Sequence, residues 1–280
     1  MNIRYVKCLG PAGFFALAYR EWEGPPGART LVCVHGLTRS SRDFELFAES
    51  MRAHYRVVAP DMPGRGLSDR LPNGADYSFP LYLSAVTTLL ARLDVDSVDW
   101  VGTSMGALIG MTLAATPGQP IRRLVLNDAG TVTPKAFLQR LADYVGVTMT
   151  AANLRALEAG ARLSYGPQRD LSEEQWRRVA VSGAREQLDG SWTLDYDPRI
   201  GDVYRVGELA DVVLWPIYDC VACPTLLLHG EKSDVLSQEV AQEMTMRGPK
   251  AQLVDFEGVA HPPWLMNEGQ FGAVRGFLLG

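Results

Sequence analysis

A chain of 280 residues, 47% hydrophobic and 21% charged, has enough apolar material for a large buried core and exceeds the usual size of one simple domain. A formal net charge of −5 with no basic block argues against nucleic acid as a partner. No apolar run approaches the length that crosses a bilayer, so no membrane partner is expected either.

Met1 to Lys7 alternates in polarity and leads straight into a hairpin, unlike a signal peptide, and a cytoplasmic location is expected. Residues 2–9 and 14–20 read as two strands around the turn Gly10-Pro11-Ala12-Gly13. Thr30 to Val34 is a continuous apolar run, as in a strand buried on both faces. Phe44, Phe47, Ala48 and Met51 then share a helical face, with Ser41 as the expected N-cap. Tyr55 to Ala59 is the next strand, followed by the turn-rich stretch from Pro60 to Asp69. Leu83, Val86, Leu90 and Leu93 mark a second helix with Pro80 near its start. Ser97 to Val101 and Arg123 to Asn127 read as buried strands on either side of an apolar helix at 107–114. Repeated strand–helix alternation implies a mostly parallel sheet with helices on both faces.

From Thr131 to about Val221 the pattern changes to helical, Arg-rich sequence with no buried strand. Ser172-Glu173-Glu174-Gln175 forms a capping box, with Leu171 and Trp176 at staple spacing. Alternation returns with Thr225 to Leu228, a helix near 239–246 and the strand 251–256. Asn267 then caps a last helix carrying Phe271, Val274 and Leu278. The expected division is a core of 1–130 and 221–280 with 131–220 inserted as a helical lid.

Gly102-Thr103-Ser104-Met105-Gly106 sits at a strand-to-helix switch. Glycine at both second neighbours allows a turn too tight for side chains there, and lifts a serine hydroxyl above a helix N-terminus. With it stand His35-Gly36, Asp61-x-Pro-Gly64-x-Gly66-x-Ser68, His229-Gly230-x-x-Ser233-Asp234 and Gly258-Val259-Ala260-His261. Taken together over nearly the whole chain, these motifs resemble the α/β-hydrolase fold family. The resemblance implies that fold with a helical cap after the sixth strand, and a Ser…Asp…His triad in that chain order. Ser104, Asp234 and His261 meet it, and Asp128 after the sixth strand is the rival for the acid.

Ser104 needs a base to take its proton. Of four histidines, His35 looks like the family's structural loop histidine, His54 closes a surface helix, and His229 ends a strand. His261 alone lies in a loop after the last strand, on the side where the serine turn opens. The oxyanion hole is expected from the backbone N–H groups of Leu37 and Met105. Arg39 could bind a substrate carboxylate or pair with Asp43, and Tyr144, Trp215, Tyr218 and Trp264 are candidate pocket walls. Asp61 reads as structural. Gly64-Arg65-Gly66 lacks the third glycine of a dinucleotide fingerprint, and no cofactor is indicated. Cys8 and Cys33 read as reduced thiols in strands; Cys220-Val221-Ala222-Cys223 is a lone CxxC without further ligands, so no metal site is expected.

The favoured reading is a cofactor-free serine hydrolase of a small carboxylic ester or lactone, acting as monomer or homodimer. The same site serves C–C hydrolysis of β-diketones, but family members that do this carry a different glycine-rich loop and an aromatic after the histidine, where this chain has Leu37-Thr38-Arg39 and Pro262. Hydroxynitrile lyase or perhydrolase chemistry is a weaker alternative. A haloalkane dehalogenase needs a carboxylate nucleophile, which Ser104 excludes. A ligand receptor on a hydrolase fold is the reading from a different class.

Overall fold

The computed structural model describes residues 1–147, 149–166 and 168–280. Its main sheet has eight strands: β1 (Asn2–Gly10), β2 (Gly13–Trp22), β3 (Arg29–Val34), β4 (Tyr55–Pro60), β5 (Val98–Thr103), β6 (Ile121–Asn127), β7 (Thr225–Gly230) and β8 (Gln252–Phe256). They lie in the order β1-β2-β4-β3-β5-β6-β7-β8. Strand β2 runs antiparallel to both neighbours, and every pair from β4 to β8 is parallel. The helices are α1 (Glu45–Met51), α2 (Phe79–Leu93), α3 (Met105–Ala114), α4 (Lys135–Tyr144), α5 (Leu154–Tyr165), α6 (Glu173–Ser182), α7 (Trp215–Tyr218), α8 (Gln238–Met244) and α9 (Glu268–Leu279).

The apolar run of β3 explains the layering, because successive side chains leave opposite faces of the sheet. Leu31 and Cys33 pack with Phe47 and Met51 of α1 and with Val274 and Leu278 of α9. Val32 and Val34 pack with Val86 and Leu89 of α2, Leu113 of α3 and Met244 of α8. The parallel strands therefore all end at one edge of a sheet covered on both sides. At such an edge the loops are free to carry chemistry.

Two local expectations shift. Ser40, not Ser41, caps the turn before α1, its hydroxyl accepting from the Arg42 N–H at 3.4 Å. Ser41 is buried and otherwise engaged, its Oγ accepting from Arg20 and its N–H donating to Asp61. Helix α3 begins at Met105, two residues earlier than the apolar pattern indicated, because Ser104 itself occupies the N-cap position.

The segment 131–220 holds α4 to α7, and also a three-stranded sheet of Thr150–Ala151, Trp192–Leu194 and Ala184–Glu186. Pieces this short carry no readable alternation, which is why the sequence suggested helices alone. Val132–Thr133 pairs antiparallel with Val212–Val213, joining the two ends of the segment at its neck. The capping box at Ser172 and Gln175 forms as expected, and Leu171 packs against Trp176. Among the described residues no helix is long and apolar enough to cross a membrane.

Candidate active site

The serine turn joins β5 to α3. Ser104 takes φ 52° and ψ −116°, a left-handed conformation that costs an L-residue energy and persists only where its surroundings enforce it. They do so through backbone. The Ser104 N–H donates to the Asn127 carbonyl at 2.9 Å, and the Ser104 carbonyl accepts from Ala107 and Leu108 at the start of α3. A Cβ at Gly102 would strike the Gly106 carbonyl, and one at Gly106 would strike the Val34 carbonyl. Both glycines are required by close approach.

The loop after β8 brings His261 over the serine. Its Nε2 lies 3.1 Å from Ser104 Oγ, and its Nδ1 lies 2.7 Å from Asp128 Oδ2. Asp128 is fully buried and takes φ 54°, directly after β6. Its other carboxylate oxygen accepts from the Gly230 N–H at 3.0 Å, and its own N–H donates to the Leu228 carbonyl. The carboxylate is thus fixed by the neighbouring strand before it meets the imidazole. With Nδ1–H donating to Asp128, Nε2 is left to accept the serine proton.

Asp234, the expected acid, stands elsewhere. It is half exposed, forms an ion pair with Arg140 of α4, and lines the cavity without a hydrogen bond to the ring, whose partners are Asp128 and Ser104. The reason lies in the loops: the β6 turn folds back at once onto β7, whereas the β7 turn carries Asp234 outward before α8.

Among the residues missed by the sequence reading, Asn127 ties this centre together. Its side-chain amide donates to Thr103 Oγ1 at 3.0 Å and to the Pro263 carbonyl at 2.8 Å, linking the serine strand to the histidine loop. Gln168 grips that loop from the other side, donating to the Ala260 carbonyl at 3.1 Å and to the Pro262 carbonyl at 3.5 Å. A buried amide bordering a turn was the available signal for Asn127; for Gln168 the sequence carries none.

Leu37 and Met105, whose backbone N–H groups were the expected oxyanion donors, both line the cavity around Ser104. A Cβ built on Gly36 would lie 3.6 Å from the Ser104 Cβ, which shows how near that turn comes to the serine.

His35 is wholly buried, with Nε2 accepting from the Met62 N–H at 2.9 Å and Nδ1 2.7 Å from the Gly36 carbonyl. That arrangement suits a neutral ring protonated on Nδ1. Burial pushes its pKa down to about 4. Between pH 6.5 and about 4 the unfolded chain takes up a proton here that the folded chain refuses, so stability falls as pH drops through that window. His35→Gln should therefore flatten the acid limb of urea-unfolding stability measured from pH 7 to pH 4. An unchanged slope would assign the acid sensitivity to other groups. His229 is also buried, with Asp255 and the Leu236 carbonyl as its partners, and is remote from the serine relay.

Arg39 does not present a free charge to the cavity. Its guanidinium pairs with both oxygens of Asp43 at 2.9 and 2.6 Å, and donates to Tyr165 Oη, the Val179 carbonyl and Ser182 Oγ. It also stacks on Trp264, 4.8 Å from the ring centroid. Four spacings of the chain converge on it, so it fastens α5 and α6 to the loop after β3.

Of the aromatic candidates, Tyr144 and Trp264 line the cavity, and Trp215 and Tyr218 do not. Leu214 and Ile217 face inward from the α7 turn, so the residues one step on point the other way. Tyr218 is buried with its hydroxyl donating to the Met244 carbonyl, and Trp215 lies under the Arg247 guanidinium. Cys220 is exposed and Cys223 buried, both as free thiols.

The cavity over Ser104 measures about 1240 Å³. Phe79, Leu83 and Leu108 of α2 and α3 line it, together with Phe137, Leu138 and Leu141 of α4. Phe137 sets its ring edge-on to His261 at 6.3 Å between centroids.

Residues 31–273 match the model of the alpha/beta hydrolase family. The chain is 37% identical to the 3-hydroxybutyrate-oligomer hydrolase of Cupriavidus necator, over 100% of this chain and 98% of that one. Among solved structures, it is similar to an alpha/beta hydrolase from Novosphingobium aromaticivorans (TM-score 0.89, 33% identity, 99% and 98% of the two chains). It is also similar to a putative hydrolase from Rickettsia typhi (TM-score 0.91, 27% identity, 100% and 99%). Sheet order, serine turn and sequence agree: the chain belongs to the alpha/beta hydrolase family and is an enzyme of the hydrolase class.

Proposed function

We propose that this hydrolase cleaves carboxylic esters through an acyl-enzyme on Ser104, and that its substrates are short oligoesters of small hydroxy acids. The observation that carries the reading is the Asp128–His261–Ser104 relay, with links of 2.7 and 3.1 Å, opening into an apolar cavity. Ser104 Oγ attacks the ester carbonyl while His261 Nε2 takes its proton. Asp128 holds the ring in the required tautomer and stabilises the imidazolium. The carbonyl oxygen, now anionic, is received by the N–H groups of Leu37 and Met105. His261 returns the proton to the leaving alcohol, and water attacks the acyl-serine by the same steps in reverse.

Size and lining argue for the substrate class. Pockets for drug-sized ligands run to roughly 1,000 Å³, and this one, at about 1240 Å³, has room for more than one ester unit. Mostly aliphatic and aromatic walls favour short alkyl chains over sugars or charged polymers. The Cupriavidus relative is named for 3-hydroxybutyrate oligomers, which fit that description. In this reading 131–220 is a cap over a core of 1–130 and 221–280, and it supplies the wall that excludes water.

The test pairs labelling with turnover. A fluorophosphonate should attach to Ser104, located by peptide mass spectrometry. Wild type should show a burst on p-nitrophenyl butyrate and release monomer from a 3-hydroxybutyrate trimer, with Ser104→Ala silent in all three. Absence of both label and turnover would overturn the reading of Ser104 as the nucleophile. Cleavage of β-diketones with esters untouched would move the assignment to C–C hydrolysis.

A further inference from the structure

Arg65, in the turn-rich loop after β4, is 1% exposed and carries a charge the relay does not use. Its Nε donates to the Leu37 carbonyl at 2.8 Å. Its Nη1 donates to the Pro63 carbonyl at 2.6 Å and to Tyr82 Oη at 2.9 Å. Nη2 meets the Met105 sulfur at 3.8 Å. The faces of Tyr82 and Tyr77 lie 5.0 and 5.7 Å from the guanidinium carbon.

All of these partners are neutral, and among the described residues no carboxylate pairs with it. Asp61, in the same loop, gives its oxygens to the N–H groups of Ser41 and Leu67. Asp197, the next acid nearby, is bound by Arg199 and the Tyr77 hydroxyl. A buried cation without a counter-charge is costly, and a role in fastening loops alone would be met by a neutral donor. The two residues it touches at the cavity wall are Leu37 and Met105, the pair whose backbone N–H groups are the proposed oxyanion donors. When Ser104 Oγ bonds to the carbonyl carbon, the π electron pair moves onto the carbonyl oxygen and the serine proton goes to His261. Negative charge then appears on the cavity side of those same two residues. In a medium of low polarisability the attraction across one layer of backbone is strong.

We propose that Arg65 is a positioning residue for the oxyanion pocket: it fixes the Leu37 backbone, and its unpaired charge behind Leu37 and Met105 favours the anionic tetrahedral state over the neutral ester. This rests on the reading of Ser104 as nucleophile.

The experiment compares wild type, Arg65→Met and Arg65→Lys on a short ester and on two inhibitors. An alkyl trifluoromethyl ketone forms an anionic serine adduct, and the matching methyl ketone binds as a neutral ground-state mimic. Losing one oxyanion donor lowers kcat by about 100-fold or more in a serine hydrolase, and Arg65→Met should act on that scale. Its kcat and its trifluoromethyl ketone affinity should fall by a similar factor, with KM and methyl ketone affinity changed by less than about threefold. Arg65→Lys, which keeps the charge and loses the fork, should recover about tenfold of that loss. A purely structural role would weaken both ketones equally or lower only the melting temperature, and either result overturns the proposal. Should Arg65→Met fail to fold, Arg65→Lys decides: a ketone affinity ratio equal to wild type overturns it, and a reduced ratio supports it. If wild type itself forms no trifluoromethyl ketone adduct, the nucleophile reading fails first, and this proposal with it.

Discussion

Asp128→Asn is expected to lower kcat by about ten-thousand-fold on any ester the enzyme turns over, the effect of the same exchange in a serine protease triad. The amide would present a donor where Nδ1–H now points, forcing the imidazole into the tautomer whose Nε2 carries the proton and cannot accept one. The lost bond is the 2.7 Å contact between Nδ1 and Oδ2, and the Gly230 N–H would keep an oxygen partner only if the amide settled with its oxygen on that side. That orientation, the one that spares the Gly230 N–H, turns the NH₂ group toward the ring. Asp234→Asn should behave quite differently. It breaks an exposed pair with Arg140, an interaction worth roughly 0–1 kcal/mol, and leaves the relay intact. Single-turnover acylation rates on the two variants check the assignment. A severe loss in Asp234→Asn beside a mild one in Asp128→Asn would return the acid to the loop after β7.

Arg39→Met should produce the second large effect, and in stability rather than chemistry. Breaking a buried ion pair by removing one partner costs about 3–5 kcal/mol because the other charge stays behind. Here Asp43 would be left with only Ser182 as a hydrogen-bond donor among the contacts described. The Val179 carbonyl and Tyr165 hydroxyl would also lose their donor. Urea unfolding should register the change, and protease cutting within 131–220 should accelerate. The ratio of kcat/KM for a substrate with a free terminal carboxylate to that for its methyl ester should stay within about twofold, since that charge is already taken. A KM rise confined to the free acid would show Arg39 binding substrate after all.

Much of this molecule could be read before its coordinates. The serine turn was legible because its constraint is local: Gly102 and Gly106 are dictated by collisions within a few residues and with one adjacent strand end. Buried parallel strands announce themselves by unbroken apolar runs, as β3 does. The choice between Asp128 and Asp234 was not local. Both follow neighbouring strands, and what separates them is whether the chain turns back at once, as at Asp128 with φ 54°, or travels outward first. Nor could pattern alone show that Arg39 spends its charge on Asp43 and on three partners 126 to 143 positions away. Trp215 and Tyr218 miss the cavity wall for a simpler reason: the short α7 turn shows its Leu214 and Ile217 side to the cavity, and a four-residue helix has too little sequence to reveal its facing.

The hold of Gln168 on the histidine loop has a mechanical consequence. Arg169 N–H reaches the Gly258 carbonyl, and Asp170 accepts from Asn267 and Gln270 at the foot of α9. These few residues fall by number within 131–220 and are attached to the loop that carries His261. A hinged swing of 131–220 as one piece would drag the imidazole off the hydroxyl. Admission of a ligand without disarming the centre therefore requires residues 168–171 to stay moored while any yielding happens elsewhere in 131–220.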